Sequence, residues 1–275
     1  MGMELNTTTF KEIRNLIYEQ TGIFFQDNKR YVLEGRLLGR LKERNCSSYE
    51  DYYNLLRFDA YRDRELTTLY DLVTTNETFF YRDLPQLQVF TDVIVPAAMT
   101  ANGGSQQLRI WSAACSTGDE PYTLAIMLLE QPALAKWTIE ILGSDISEAN
   151  LAAARRGIYG RYAVRNVPPA LLRKYFREEG GQYAIAEPVK RLVKFINLNL
   201  YDAARMKLIR GMDVIFCRNC LIYFDDKARR KIVKEFHDCL RPGGHLVIGF
   251  SETLHRVSDC FKLIQGHRSV VYQRV

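Results

Sequence analysis

Ala113-Ala114-Cys115-Ser116-Thr117-Gly118-Asp119-Glu120-Pro121 is a run of small residues that ends in two carboxylates and a proline. It follows the apolar run 108–113 and precedes a helical pattern over 120–130, so it reads as a turn between a strand and a helix. Small side chains there let a ligand lie close to the backbone, beyond the carboxyl end of the strand. Gly118 is the only glycine in the run, which is therefore not a dinucleotide G-x-G-x-x-G, and Asp119 and Glu120 at the helix start would repel a pyrophosphate. The same carboxylates suit a cationic ligand; they equally complement the helix dipole, and the motif alone leaves both readings open. The run Leu142-Gly143-Ser144-Asp145 places a second carboxylate 27 positions after Gly118, where such folds grip ribose hydroxyls. Asp145 could also cap the following helix, as could Ser147. A carboxylate, a tight turn and acidic surroundings favour an uncharged or cationic nucleoside such as S-adenosylmethionine over NAD or ATP.

Other chemistry has less support. Cys217 and Cys220 form a C-x-x-C pair, but no second pair accompanies them, and His237 and His245 lack finger spacing, so neither zinc nor redox work is expected and no metal site is assigned. With His255 and His267 the histidines show no grouping with a nucleophile elbow, which removes hydrolase chemistry.

The elements that must hold these residues fall into two regimes. From Asn6 to about Leu84 apolar residues recur at helical spacing, and Thr7, Thr8 and Thr9 offer N-caps before Phe10, so residues 1–84 read as an all-helical N-terminal domain. A further helix over 85–99 ends at Asn102-Gly103-Gly104, and 85–104 reads as a linker helix and flexible joint. Over 105–275 short apolar runs at 108–113, 138–144, 193–197, 213–217 and 245–250 alternate with helical patterns at 120–130, 147–155 and 226–240. That alternation predicts an α/β fold with a doubly wound parallel sheet. The spacing breaks over about 157–191, where Gly180-Gly181 separates 174–178 from 182–185, as expected of a small inserted β module ending in a hairpin. A terminal hairpin, 261–264 and 269–274 around Gln265-Gly266-His267-Arg268, should close the sheet edge.

A net charge of +6 is too modest for a dedicated nucleic-acid binder, but it is unevenly spread. The stretch 29–44 holds six basic and two acidic residues, and 155–195 holds ten basic and three acidic. On a helix, Lys29, Arg36, Arg40 and Arg44 fall within an arc of about 80°, beside the apolar arc of Leu33, Leu37, Leu38 and Leu41. The ridge is either a solvated helix face or a docking surface for an acidic partner.

With 275 residues, 47 % of them hydrophobic and 25 % charged, the chain can bury a sizeable core, and disordered or low-complexity architectures are excluded. No apolar run reaches the ~18 residues of a membrane span, the start lacks a signal-like pattern, and six cysteines are sparse. A cytoplasmic protein is expected.

Asn76-Glu77-Thr78-Phe79-Phe80-Tyr81-Arg82, the run from Ser112 to Tyr122, Phe216-Cys217-Arg218-Asn219 leading to Ile222-Tyr223-Phe224, and Leu240-Arg241-Pro242-Gly243-Gly244 stand in the order found in the CheR-type chemotaxis receptor methyltransferases, which the sequence resembles over almost its whole length. The resemblance implies a Rossmann-like class I methyltransferase sheet and S-adenosylmethionine-dependent methylation of glutamate side chains on cytoplasmic helices of bacterial chemoreceptors, with S-adenosylhomocysteine as product. It implies cofactor contacts at Asn76, Thr78, Arg82, Glu120, Asp145, Asn199, Leu200, Arg218 and Asn219, to which Gly118 of the small-residue turn is added. Arg82 and Tyr223 become the expected catalytic pair, Arg82 holding either the cofactor's carboxylate or the substrate's. The ridge of Lys29, Arg36, Arg40 and Arg44 becomes a receptor-docking face.

The attacking carboxylate is already ionised near pH 7, its reference pKa being ~4.3, so positioning residues rather than a proton-transfer pair are expected. Some family members use the inserted module to grip a receptor's C-terminal peptide through a longer glycine-containing loop; here Arg177-Glu178-Glu179-Gly180-Gly181-Gln182 is short and acidic, which argues against it. A nucleic-acid methyltransferase would carry an Asn/Asp-Pro-Pro-aromatic loop, whereas Asn219-Cys220-Leu221-Ile222 has no proline pair. A methyltransferase with another substrate, or a non-catalytic receptor-binding adaptor, is the rival reading. Neither a nucleic-acid partner nor membrane insertion is expected, and the chain should act as a monomer.

Overall fold

The structure, a computed structural model, describes residues 3–267 and 269–275. Helix α1 (Thr7–Thr21) starts where the Asn6 side chain accepts the Thr9 amide at 2.9 Å. The three threonines lie inside the helix rather than capping it, because asparagine is the stronger cap and stands one position earlier. Helices α2 (Arg30–Glu43), α3 (Tyr49–Phe58) and α4 (Arg62–Val73) complete a bundle. Its core is built on Phe10, Ile13, Tyr52, Leu69 and the α2 stripe Leu33, Leu37 and Leu41, one face of a 3.6-residue period.

Where one helix was expected over 85–99, the chain forms α5 (Leu84–Val89), a π-helical turn (Phe90–Ile94) and α6 (Val95–Ala101). Pro96 has no amide to continue the i−4 ladder, and the ladder shifts just before it. Nor is this stretch a joint standing apart from the sheet. Leu87, Phe90 and Ile94 pack against Ile110, Phe216 and Val247, and the Phe90 and Phe216 rings meet edge to face at 5.3 Å. Gln86 Nε2 also donates to the Ile248 carbonyl at 2.7 Å. An amphipathic helix must bury its apolar stripe, and the neighbouring sheet face is what this one covers.

The rest alternates as β1 (Gln107–Ala113), α7 (Asp119–Leu129), β2 (Thr138–Asp145) and α8 (Glu148–Arg156). An insert comes next: β3 (Ile158–Gly160), α9 (Arg161–Val164), α10 (Pro169–Tyr175), β4 (Phe176–Glu179), β5 (Gln182–Ile185) and α11 (Glu187–Lys190). The chain then returns to β6 (Val193–Asn197), α12 (Ala203–Met206), β7 (Met212–Cys217), α13 (Asp226–Cys239), β8 (Leu240–Ile248), β9 (Phe261–Gly266) and β10 (Ser269–Arg274). The seven-stranded sheet runs β6-β2-β1-β7-β8-β10-β9, so the fold is Rossmann-like. Its first five strands are parallel, while β10 is antiparallel to both β8 and β9, placing the terminal hairpin at the sheet edge. Arg268 of the expected hairpin turn lies outside the described residues. The insert carries its own antiparallel sheet, β3-β5-β4; strand β3, three residues long, was too short to leave a period in the sequence.

Two apolar layers sandwich the large sheet, one around Ile110, Phe216 and Val247 and one around Trp111, Ile215 and Phe236. His245 of β8 is 4 % exposed, and burial, with the charge of Arg241 acting the same way, pushes its pKa down to about 4. An imidazole that takes a proton near 6.5 when unfolded and only near 4 when folded leaves stability intact above pH 6.5 and removes it as the pH falls toward 4. His245→Gln should flatten that acid limb in urea titrations between about pH 7 and 4; an unchanged slope would show that His245 does not contribute to it.

Candidate functional site

Parallel strands deliver their carboxyl ends to one edge of the sheet, and there β1, β2, β7 and β8 end in Ala113, Asp145, Cys217 and Ile248. The turn after β1 is tightly coiled: Ala114, Ser116 and Gly118 have φ of 57°, 49° and 88°. For the two non-glycine residues this left-handed backbone costs on the order of 1 kcal/mol each, and such strain persists only where the surroundings fix it. Here the Cys115 amide donates to the Ser144 carbonyl and the Ser116 amide to Asp145 Oδ2, both at 2.8 Å. Asp145 Oδ1 accepts the Ser147 amide at 2.9 Å, while the Ser147 hydroxyl caps α8 through the Asn150 amide. Capping therefore falls to Ser147. Burial raises the Asp145 pKa, opposed by the amides of Ser147 and Ser116.

Asp145 opens onto a cleft of about 660 Å³ that Ile146, Leu198 and Leu200 make largely apolar. Asn76, Asn199 and Asn219 also line it. Asn76 Oδ1 accepts Asn150 Nδ2 at 2.8 Å. Asn199 spends its amide on the protein, donating to the Gln20 carbonyl at 2.6 Å and accepting the Tyr201 amide at 2.9 Å. Gly118 lines neither this cleft nor the next: its positive φ makes the turn, and the space a Cβ would take is filled by Ala154 at 2.9 Å and Phe195 at 3.2 Å. Backbone geometry and close packing thus account for a glycine here.

A second, more polar cleft of about 970 Å³ adjoins the first and shares Ala114, Ser116, Asn219 and Tyr223 with it. Thr78, Arg82, Glu120 and Arg218 line it. Glu120 accepts the Ser112 hydroxyl at 2.7 Å and Arg218 Nη1 at 3.1 Å. Arg218 also donates to Gln86 Oε1, the Arg82 carbonyl and Asp83 Oδ2, each at 2.8 Å, which occupies four of its five N–H groups. Its guanidinium is thus a buried strut joining α5, the 76–83 segment and α7. Arg82 differs: Nη1 donates to the Glu77 carbonyl at 2.8 Å and Nε lies 4.0 Å from Asp83, leaving the rest of the fork to the cleft. Asn219, at φ 56°, has its Oδ1 buried without a hydrogen-bond partner among the described residues. Tyr223 borders both clefts from a short 3-10 turn (Leu221–Tyr223), and its carbonyl accepts the Phe24 amide at 3.0 Å. Apolar walls beside a carboxylate at one end, a second carboxylate at the other, and an unpartnered amide oxygen between them fit a cationic nucleoside such as S-adenosylmethionine.

The basic ridge is divided. Lys29 and Arg36 line a third groove, of about 1320 Å³, together with Phe24, Ile222, Tyr223 and Arg229. Arg36 donates to the Val73 carbonyl and, at 2.8 Å, to Thr75 Oγ1. Arg40 and Arg44 instead face Glu65, which is 4 % exposed. Arg40 is committed to the bundle by two bonds to Glu65 while Arg44, 37 % exposed at its side chain, stands 3.4 Å from the same carboxylate, which periodicity alone did not show because Glu65 lies on another helix.

Glu252 escaped the sequence reading. Its carboxylate accepts the amides of Asn219 (2.9 Å), Ile222 (3.2 Å) and Gly249, and so fixes the loop that carries Asn219 and Tyr223. Its only signal was a position just past the carboxyl end of a strand, where loops of such sheets converge.

Residues 76–270 match the family description "CheR methyltransferase, SAM binding domain", and residues 8–74 match "CheR methyltransferase, all-alpha domain". "Chemotaxis protein methyltransferase 2" of Vibrio cholerae serotype O1 is 38 % identical over 98 % of this chain and 94 % of its own length. "Chemotaxis protein methyltransferase 1" of Pseudomonas aeruginosa is 33 % identical over 98 % of this chain and 99 % of its own. The "Chemotaxis protein methyltransferase" of Borreliella burgdorferi is 32 % identical over 92 % and 91 %.

Proposed function

The chain belongs to the CheR methyltransferase family, as an S-adenosylmethionine-dependent methyltransferase of chemotaxis, and from that premise we propose that it esterifies glutamate side chains on cytoplasmic helices of chemoreceptors. The observation that carries this reading is the pairing of two different ends of one connected site: Asp145 beside apolar walls, and Arg82 with guanidinium donors to spare. When bound, S-adenosylmethionine supplies an electrophilic methyl group on a sulfonium.

Asp145 is the group that would take the ribose hydroxyls, and Leu198 and Leu200 in the same cleft would offer apolar walls to the base. Glu120, already polarised by Ser112 and Arg218, receives an ammonium group. Asn76, Thr78 and Asn219 border the same space, and Asn219 Oδ1 gains the partner it lacks. Arg82 holds the substrate carboxylate with its free fork, fixing the attacking oxygen. Tyr223 closes the side facing the third groove and keeps water from an anion whose reactivity rises as its hydration is removed. No residue need move a proton, because the carboxylate is ionised at neutral pH.

The receptor helix lies along the third groove, where Lys29 and Arg36 meet its acidic side chains, the groove's own Asp225 and Asp226 being engaged by Tyr18 and Arg229, and where Phe24 and Ile222, 42 % and 51 % exposed, meet its apolar ones. The short β4–β5 turn leaves this docking independent of a receptor tail. No helix among the described residues is long and apolar enough to cross a membrane. In this reading the protein works as a cytoplasmic monomer.

Incubation with radiolabelled S-adenosylmethionine and membranes holding the host's chemoreceptors should give base-labile label, released as methanol, in the receptor band. No label with cofactor binding intact would leave an adaptor or another substrate; no binding would overturn the site. Asp145→Asn should raise the Kd for S-adenosylhomocysteine about 10- to 100-fold by calorimetry, the loss of a charge-assisted hydrogen bond worth about 1.5–3 kcal/mol. A Kd within about twofold of wild type would place the ribose elsewhere.

A further inference from the structure

The outer side of the Arg82 cleft carries a second guanidinium that the proposed function does not use. Arg165, exposed just beyond α9, lies 3.6 Å from the ring centroids of both Phe79 and Tyr162. Phe79 is a wall of the Arg82 cleft, and Arg82 stands 5.6 Å from the same ring. Two guanidinium groups therefore share one aromatic ring, one facing the cleft and the other on its rim.

The rim is a built surface. The Tyr162 hydroxyl donates to Glu77 Oε1 at 3.1 Å, the Phe80 amide donates to the Ala163 carbonyl at 3.0 Å, and Arg165 Nη1 is tied to the Tyr162 carbonyl at 2.5 Å. The first two bonds hold the insert against the segment that carries Arg82, and the third fixes Arg165 within the insert. The two rings meet at 75°, so the guanidinium sits in the notch between them, where cation–π contact holds it in place and leaves donors beyond Nη1 available. Arg161 is exposed one turn away on α9; Glu77 has its carboxylate engaged by Tyr162, and the Asp119 carboxylate, which feels the charge of Arg165, is buried behind the rim. The rim stays cationic, in the part of the chain with the largest basic excess, ten basic to three acidic residues over 155–195.

Resting on the reading that Arg82 holds the target glutamate, we propose that Arg165, with Arg161 beside it, reads a second carboxylate on the substrate helix, about one turn from the methylated residue. One turn of helix advances about 5.4 Å, and side chains three or four positions apart share a face, so such a pair of carboxylates can meet two cations set around one ring. The rim thus selects which glutamates of an acidic helix are esterified, while the groove at α2 binds the helix as a whole.

The test uses the full-length enzyme and a cytoplasmic fragment of a chemoreceptor from the same organism. The fragment keeps a single methylatable glutamate, with either Glu or Ala at the positions three and four residues before and after it. Wild type should favour the Glu-flanked fragment about 10-fold in kcat/KM through a lower KM, and the preference should shrink as salt is raised. Arg165→Gln should erase the preference, and Arg165→Lys should restore part of it, while the Kd for S-adenosylhomocysteine stays within about twofold. Coupling between enzyme and substrate substitutions in this cycle reports direct recognition, which a merely structural role for Arg165 would not produce. Equal rates on both fragments by wild type, or a preference that survives Arg165→Gln, would overturn the inference. If wild type leaves every fragment unlabelled, the glutamate reading itself falls and this inference with it.

Discussion

Replacing Arg82 with alanine should lower methyl transfer to receptor on the order of 10²–10³-fold, the usual loss when one preorganised charged donor is taken from a reacting group. The argument rests on how its neighbour is employed. Arg218 is 3 % exposed at its side chain, with four donors committed to Gln86, Glu120, Asp83 and the Arg82 carbonyl. The Arg82 side chain is 27 % exposed and, among the described residues, makes one hydrogen bond, to the Glu77 carbonyl, with Asp83 4.0 Å from its Nε. Of the two arginines at this cleft it is the one with capacity to take a carboxylate. If that carboxylate is the substrate's, kcat/KM falls and the affinity for S-adenosylhomocysteine stays within about threefold; Arg82→Lys, a cation without the planar fork, recovers part of the rate. A Kd for S-adenosylhomocysteine that rises in step with the rate loss would assign Arg82 to the cofactor's own carboxylate. Arg218→Ala should behave differently again, lowering the melting temperature as well as the rate, because it leaves the largely buried Glu120 without its cation.

Arg40→Glu should destabilise the N-terminal bundle by about 3–5 kcal/mol, a large part of the roughly 5–15 kcal/mol that holds a typical domain together. Glu65 is 4 % exposed, and Arg40 meets it with two parallel bonds of 2.7 Å from Nε and Nη2. The Tyr52 hydroxyl adds a bond at 2.9 Å and Arg44 lies 3.4 Å away. Burial alone would raise the Glu65 pKa, but the bonds from Arg40 and Tyr52 outweigh it and the net direction is downward. The pairing therefore contributes stability above the ordinary glutamate pKa of 4.5 and loses it as the pH falls through the folded value. Urea denaturation at about pH 7 measures the effect of Arg40→Glu. The double variant Arg40→Met with Glu65→Met should recover most of it, since replacing both partners removes the stranded charge. A single variant as stable as wild type would mean that Glu65 finds solvent. Loss of receptor methylation in Arg40→Glu would thus report folding, and docking is better tested by charge reversal at Lys29, which is exposed and lines the open groove.

The order of strands and helices was legible because each element leaves a period: Leu33, Leu37 and Leu41 mark the buried face of α2, and the alternation after Gly104 marks a wound sheet. The small-residue turn and Asp145 were legible because a tight turn needs small side chains wherever it occurs. Less could be read where a residue's role depends on what packs against it. The stretch 85–104 resembled a joint because its partner, the face of Phe216 and Val247, is more than a hundred residues away in the chain. At Gly118 a conformational need and a binding need leave the same glycine in the sequence; the approach of Ala154 and the positive φ supply the conformational one.

Fold class, family and kind of cofactor follow from local propensity, hydrophobic period and contiguous motifs, all of which a linear chain displays. Tertiary structure decided the assignment of charge. It committed Arg40 to Glu65, turned Arg218 into a strut, left Arg82 with donors facing the cleft, and set Glu252 under the Asn219 loop. The physical reason is that a charged side chain acts through whichever opposite charge or dipole comes within a few ångströms, and that neighbour is chosen by the packing of distant segments.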